Sequence, residues 1–338
     1  MEKYDIALIG GDERVAYMRP VLVQAGYRVV SFGTVPVPEA GEDFIAGLCD
    51  SEVCRDSAHR QEREGTCNAC GCDPEVWGKT VPDGEKTEIF TAGSLEEAVS
   101  SAKIIVGGVP LIRKGRIFQG SGMEEIGEEA FFACVRPGQR LFGGVLPDVF
   151  RKRCQEHGVE CHDFMKDESL AVFNAVATAE GAILEALQHQ KTNIYGSRSL
   201  VLGFGRCGRV LADRLAGLKA EVTVCCRNPV ARTMAETMGF DALPFQNLQE
   251  EIGTFEYIYN TVPAVILQGD LLKKISRHAL IIDLASAPGG VDYEAAGQYN
   301  IQARLCPGLP GKCAPKTSGE ALARYVAGNI DNVSGGKE

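Results

Sequence analysis

The sequence predicts an α/β protein built of two doubly wound units joined by a long interdomain helix. Three observations predict it. Short apolar runs alternate with helical patterns twice along the chain. A long helical pattern, Ser169 to Gln188, separates the two series. In the second series a turn with three glycines, Gly203-Phe204-Gly205-Arg206-Cys207-Gly208, follows a strand and opens a helix.

Residues 4–10 read as a buried strand that ends in Gly10-Gly11-Asp12. A helix follows through Arg14, Met18, Leu22 and Val23, and Tyr27 to Phe32 forms a second strand. From Pro36 to Glu88 the periodicity fails. That stretch is rich in Gly, Pro, Cys and charge, and reads as an inserted loop or small subdomain. Regular signals resume at Ile89. Strands are predicted at Lys103–Gly107, Gln139–Gly143 and Val159–His162, with a helix over Pro147–Glu156. In the long helix, Leu170, Phe173, Val176, Ile183, Leu184 and Leu187 recur about every 3.6 residues and are expected to form its core face. The second series has strands at Leu200–Gly203, Glu221–Cys226, Ile258–Thr261, Ala279–Leu284 and Ala303–Cys306. Helices are predicted over Arg209–Leu218, Thr233–Gly239 and Leu271–Ser276. Ala321–Ile330 is a closing helix. The expected domains are therefore 1–165 on the substrate side, a connecting helix over 166–190, a dinucleotide-binding domain over 195–311, and a C-terminal segment 312–338 that packs back on the first domain.

The 338 residues are 45% apolar and 24% charged, which is the balance of a globular protein. A net charge of −10 excludes general binding to nucleic acid or to an anionic membrane surface, which needs a basic face. No uninterrupted apolar run reaches the roughly 20 residues of a membrane span. The N-terminus reads as a strand rather than a signal peptide, so a cytoplasmic location is expected. Thirteen cysteines in a reducing compartment point to thiols or metal ligands, not disulfides.

The glycine turn has a mechanism. Gly203 permits the tight bend, Gly205 lets backbone approach a pyrophosphate, and Gly208 lets the helix pack against the strand. The helix N-terminus then offers N–H groups and partial positive charge to phosphate. This is the fingerprint of a Rossmann domain that binds a nicotinamide dinucleotide. An NAD site carries Asp or Glu at the end of the second strand. Here that place holds Cys226-Arg227-Asn228. Arg227 and Asn228 fit a 2′-phosphate, so NADP is favoured, with NAD the alternative. Three further strand ends should face the cofactor. They are Asn260-Thr261-Val262-Pro263, the run Asp283 to Gly290 with Leu284, Ala285 and Ser286, and the run Cys306 to Gly311 with Pro307.

With these turns the sequence resembles the family of dipicolinate synthase A subunits. The likeness also includes Ala314-Pro315-Lys316-Thr317, the helix segment Asn174 to Gly181, and Gly10-Gly11-Asp12 with Arg14. It is dense over residues 165–325 and thin over 1–165. The chain departs from the family at Lys312-Cys313 and in the long cysteine-rich insert. The resemblance implies an arrangement like that of the D-2-hydroxyacid dehydrogenases, with substrate in the cleft between two α/β domains. It implies oxidation of a dihydrodipicolinate-type intermediate to pyridine-2,6-dicarboxylate during spore formation, in the mother cell, together with the flavoprotein-like B subunit of dipicolinate synthase. A homo-oligomer is compatible with it.

Holding a small dicarboxylate calls for Arg, Lys, hydroxyls or helix N-termini. Lys316, Thr178 and Arg14 are the candidates, with Glu180 as a general base. His162 and His189 are alternative bases. Within the insert, Cys67, Cys70 and Cys72 with Cys49 or Cys54, or with His59, have the ligand types of structural zinc; an iron–sulfur cluster is the alternative. Two rival readings fit the same scaffold. One is another NAD(P)-dependent dehydrogenase, of hydroxy-acid or shikimate type. The other is a non-enzymatic NADP-binding partner whose thiol-rich loop senses redox state.

Overall fold

The first strand, β1 (Tyr4–Ile9), is apolar because it lies in mid-sheet with both faces covered. It leads through Gly10 and Gly11 into α1 (Glu13–Gln24), which Asp12 caps by accepting from the Arg14 N–H. The computed structural model describes residues 3–35, 90–119 and 125–331. The chain divides into two compact units, Met1–Lys166 with Gly319–Glu338, and Asp167–Ser318.

In the first unit β2 (Val29–Phe32) and β3 (Phe90–Thr91) lie on one side of β1. On the other side are β4 (Ala102–Gly107), β8 (Arg140–Gly143) and β9 (Glu160–Asp163). The order is β3-β2-β1-β4-β8-β9 and every pairing is parallel. Helices α2 (Leu95–Ser100), α3 (Glu128–Cys134) and α4 (Asp148–Glu156) link these strands. A small antiparallel sheet, β5 (Ile112–Arg113), β6 (Arg116–Ile117) and β7 (Ile126–Gly127), stands apart from the main one. Its strands of two residues are too short to leave a periodic signal, and the sequence reading missed them. The predicted insert over 36–88 lies outside the described residues.

The second unit opens with α5 (Glu168–His189). Six parallel strands follow: β10 (Arg198–Leu202), β11 (Glu221–Cys225), β12 (Asp241–Leu243), β13 (Tyr257–Asn260), β14 (Leu280–Asp283) and β15 (Gln302–Leu305). Their order is β12-β11-β10-β13-β14-β15, so the chain reverses direction across the sheet beside β10. The connecting helices include α6 (Arg206–Gly217), α7 (Pro229–Thr237), α8 (Leu248–Glu251), α9 (Gly269–Lys274) and α10 (Tyr293–Gln298). After β15 come α11 (Leu309–Cys313) and α12 (Pro315–Asp331). From Gly319 on, α12 belongs with the first unit, where Gly319 lies against the Arg14 carbonyl and Tyr325 stands edge-on to Phe142 and Phe164. Two doubly wound parallel sheets are the fold class that the apolar runs indicated.

The long helix corrects one expectation. Of the six residues expected on its core face, Leu170 is buried and Val176 and Ile183 are half-buried, but the other three are not covered. Phe173, Leu184 and Leu187 remain 44%, 43% and 51% exposed. The buried residues are Leu170, Ala171, Ala175, Ala177, Ala179, Gly181, Ala182 and Ala186. The reason is close approach: α5 packs on α6 and α11, and a Cβ on Gly181 would come within 2.9 Å of Leu309 Cβ. Alanine content also makes this 22-residue helix long and apolar enough to cross a membrane by length and composition alone, with a mean hydropathy of 1.5. The alanine face is packed on protein.

Candidate dinucleotide site

The site begins at the turn between β10 and α6. Gly203 has φ +93°, and a Cβ there would come within 2.5 Å of Thr261 Oγ1. A Cβ on Gly208 would run into the Gly203 carbonyl. Gly205 is the opposite case: nothing lies within 4 Å of the place its Cβ would take. It is also the N-cap of α6, and no side chain caps that helix. A 12-residue helix therefore presents its first-turn N–H groups over a glycine open to approach. This cradle fits a pyrophosphate, the group that a nicotinamide dinucleotide would place there.

The other members of the turn do different work. Phe204 is buried and stands edge-on to Phe240, so its side chain belongs to the core. Its carbonyl accepts from Arg209 Nε. Burial pushes the Cys207 thiol up, which keeps it neutral beside the turn. Arg206 is exposed and pairs with Glu168 at 3.6 Å.

At the end of β11, Arg227 is exposed, and no carboxylate occupies positions 226–228. The Asn228 side chain is engaged as the N-cap of α7, where Oδ1 accepts from the Val230 N–H at 2.8 Å. A residue the sequence reading overlooked completes this corner. Arg232, one turn into α7, donates to the carbonyls of Cys226 and Arg227 at 3.0 and 2.8 Å. It fixes the backbone that carries Arg227. The spacing of Arg227 to Arg232 was the available signal.

Beyond β13, Thr261 folds back so that its N–H and Oγ1 both donate to the Leu202 carbonyl, at 3.0 and 2.8 Å. Val262 is half-buried and Pro263 exposed. Beneath them the first residues of two of the quoted strand ends pair in a polar centre, a contact that the sequence reading did not foresee. Asn260 and Asp283 are fully buried at the carboxyl ends of β13 and β14. Asn260 Nδ2 donates to Asp283 Oδ1 at 2.8 Å, and Asn260 Oδ1 accepts from the Val262 N–H. Asp283 also accepts from the N–H groups of Ala285 and Gly290 and from the Tyr293 hydroxyl, at 3.1, 2.6 and 2.7 Å. Burial, and then this bond to Asp283, pushes the Tyr293 hydroxyl up, so it stays a donor. Of the loop between, Ala285 is buried, Leu284 half-buried and Ser286 exposed. Pro307, past β15, is exposed.

The substrate candidates fall in both units, Arg14 in the first and Thr178, Glu180 and Lys316 in the second. Arg14 is 3% exposed and already bound. Its Nε and Nη2 donate to the Asp12 carboxylate at 2.9 and 2.7 Å, and Nη2 also donates to the Val109 carbonyl. Thr178 Oγ1 donates to the Asn174 carbonyl within α5. Glu180 pairs with Arg214 at 4.0 Å, in a groove with Leu218 and Met238. Arg214 lies eight residues along α6 from Arg206, so Glu180 is about 12 Å down that helix from the glycine turn. Lys316 is half-buried in the first turn of α12. His162 stacks on Phe142, with Nε2 3.1 Å from Glu160, and His189 Nδ1 lies 2.9 Å from the Glu185 carbonyl. Cys49, Cys54, Cys67, Cys70 and Cys72 lie outside the described residues. Among the described residues no group of three or more His, Cys, Asp or Glu side chains gathers that could hold a metal ion.

No protein-family model matches the chain. The A subunit of dipicolinate synthase of Bacillus subtilis (strain 168) is 38% identical over 164 residues, which covers 48% of this chain and 55% of that protein. The chain spans about half the length of the curated relatives it matches. The crystal structure of the dipicolinate synthase A subunit from Bacillus halodurans superposes with a TM-score of 0.76 at 24% identity, over 97% of each chain. The A chain of dipicolinate synthase from Bacillus subtilis superposes with a TM-score of 0.75 at 24% identity, over 100% of this chain and 99% of that one. In sequence over those 164 residues, and in fold over nearly its whole length, this chain resembles the A subunit of dipicolinate synthase.

Proposed function

We propose that the chain is an NADP-dependent oxidoreductase that acts as the A subunit of a dipicolinate synthase. Its substrate on this reading is a dihydrodipicolinate-type dicarboxylate, and it works with a flavoprotein-like B subunit in the cytoplasm. One observation carries the cofactor reading. An uncapped helix N-terminus over an open glycine adjoins a strand end that bears Arg227, buttressed by Arg232, and no carboxylate. The 38% identity to a protein of that name supports the reaction and the partner.

Bound nicotinamide would supply a two-electron hydride acceptor. The chain's own residues bind and orient. The α6 N-terminus and Gly205 hold the pyrophosphate, and Arg227 holds the 2′-phosphate. Thr261, Val262, Pro263, Leu284, Ala285, Ser286 and Pro307 shape the walls at the strand ends. We assign a substrate carboxylate to Lys316, which is half-buried in the first turn of α12. Arg14, held by Asp12 and Val109, then keeps the first turn of its own unit in shape.

Calorimetric titration tests the cofactor. NADP is expected to bind at least tenfold more tightly than NAD, about 1.4 kcal/mol. Equal affinities or an NAD preference would overturn the choice. Turnover is followed as NADPH absorbance, with the B subunit present and substrate generated in place. In that assay Lys316→Met is expected to lower kcat/KM roughly 100-fold at unchanged NADP affinity. Wild-type turnover in Lys316→Met would move the carboxylate site elsewhere.

A further inference from the structure

A buried carboxylate is costly unless it is paired or fully hydrogen-bonded. Asp283 is fully buried, and the partners found for it among the described residues include no basic side chain. It is held by four donors instead, drawn from three places: Asn260 at the end of β13, the N–H groups of Ala285 and Gly290 at the two ends of its own loop, and Tyr293 on α10. Its backbone carbonyl accepts from the Cys306 N–H at 2.8 Å, just before Pro307. Asn260 in turn clasps Val262 through both its amide groups. One residue thus closes the 284–290 loop on itself and ties it to the 260–263 and 306–307 turns.

These turns lie on one side of β10. The Arg227 turn lies on the other side, after β11. In a doubly wound sheet a dinucleotide crosses the carboxyl edge at this reversal, with one nucleoside on each side. Resting on the cofactor reading above, we propose that Asp283, with Asn260 and Tyr293, is the positioning centre of the nicotinamide half of the site, separate from the half that holds the adenosine phosphates. An amide at 283 has nearly the same shape, but its NH2 would face one of the N–H or O–H donors and leave it without an acceptor.

The proposal requires an effect confined to half of the ligand. Wild type, Asp283→Asn and Tyr293→Phe are titrated calorimetrically with NADP and with 2′,5′-ADP, which lacks the nicotinamide nucleoside. Circular dichroism and thermal melts check the fold. Asp283→Asn is expected to weaken NADP at least tenfold and to leave 2′,5′-ADP within twofold. Tyr293→Phe removes one donor and is expected to show the same split at about threefold. Should Asp283→Asn fail to fold, Tyr293→Phe decides. Equal losses for both ligands, or undiminished NADP binding, would overturn the proposal while the cofactor reading stands. A wild-type chain that binds neither ligand would overturn both.

Discussion

At the scale of single residues, the end of β11 carries a pair of arginines with unequal tasks. Arg227 is exposed and bears the charge that a 2′-phosphate would meet, while Arg232 donates to the carbonyls of Cys226 and Arg227 and holds that backbone. Arg232→Met keeps the length and removes both bonds. It is expected to weaken NADP about tenfold, or ~1.4 kcal/mol, and NAD less than twofold. A matching loss of NAD in the same fluorescence titration would show that Arg232 supports the α7 turn generally and does not select the phosphate. What was legible here follows from how local each signal is. Gly203, Gly205 and Gly208 stand out through spacing alone, although the contact that excludes a side chain at Gly203 is with Thr261, far along the chain. Arg227 stands out through the carboxylate that its place lacks. Asp283 heads one of the quoted strand ends, but its partners were not legible, since they lie 2, 7, 10 and 23 residues off and only the folded strand ends bring them together. Glu180, named as a general base, stands beside Arg214 on α6, a neighbour that its place in the sequence does not announce.

At the scale of elements, period was easier to read than face. The α5 pattern repeats with helical spacing, and the helix is there. Hydropathy favoured its large residues as the core stripe, but a helix packed closely on two others needs small ones, so the alanines are inside. Ala182 is fully buried. Ala182→Leu is therefore expected to overpack the contact and cost about 1–3 kcal/mol, read as a lower urea midpoint. Leu184→Gln, on the exposed side, is expected to change stability by less than about 0.5 kcal/mol. The opposite ranking would mean that the leucine side is the covered one. Short elements escaped for a related reason. β3 and the strands of the small antiparallel sheet have two residues each, and β12 has three, too few for an alternation to register. The sheet order, in contrast, follows from the alternation of strands and helices and from the right-handed crossovers it imposes.

At the scale of the whole molecule, the chain carries two doubly wound sheets, of which one shows the dinucleotide fingerprint. The first unit has a related strand order, and its opening turn is bound up by Arg14 and Asp12. If only the second unit holds the adenosine phosphates and nicotinamide, cofactor must stabilise that unit against opening through mass action. At free NADP near 100 times its Kd the gain is about 2.7 kcal/mol, or roughly 100-fold slower exchange for amides released when that unit opens. Hydrogen exchange read by mass spectrometry should show this in peptides that cover β10, β13 and β14. Peptides that cover β1 and β4 should exchange as before, except where they open only together with the second unit. The 203–208, 260–263 and 284–290 turns should show the largest local protection, because ligand covers them directly as well. Protection spread evenly over β1, β4, β10 and β13 would mean that the two units open as one body. Protection centred on the Gly10–Asp12 turn would move the cofactor to the first sheet and overturn the assignment made from Gly203, Gly205 and Gly208.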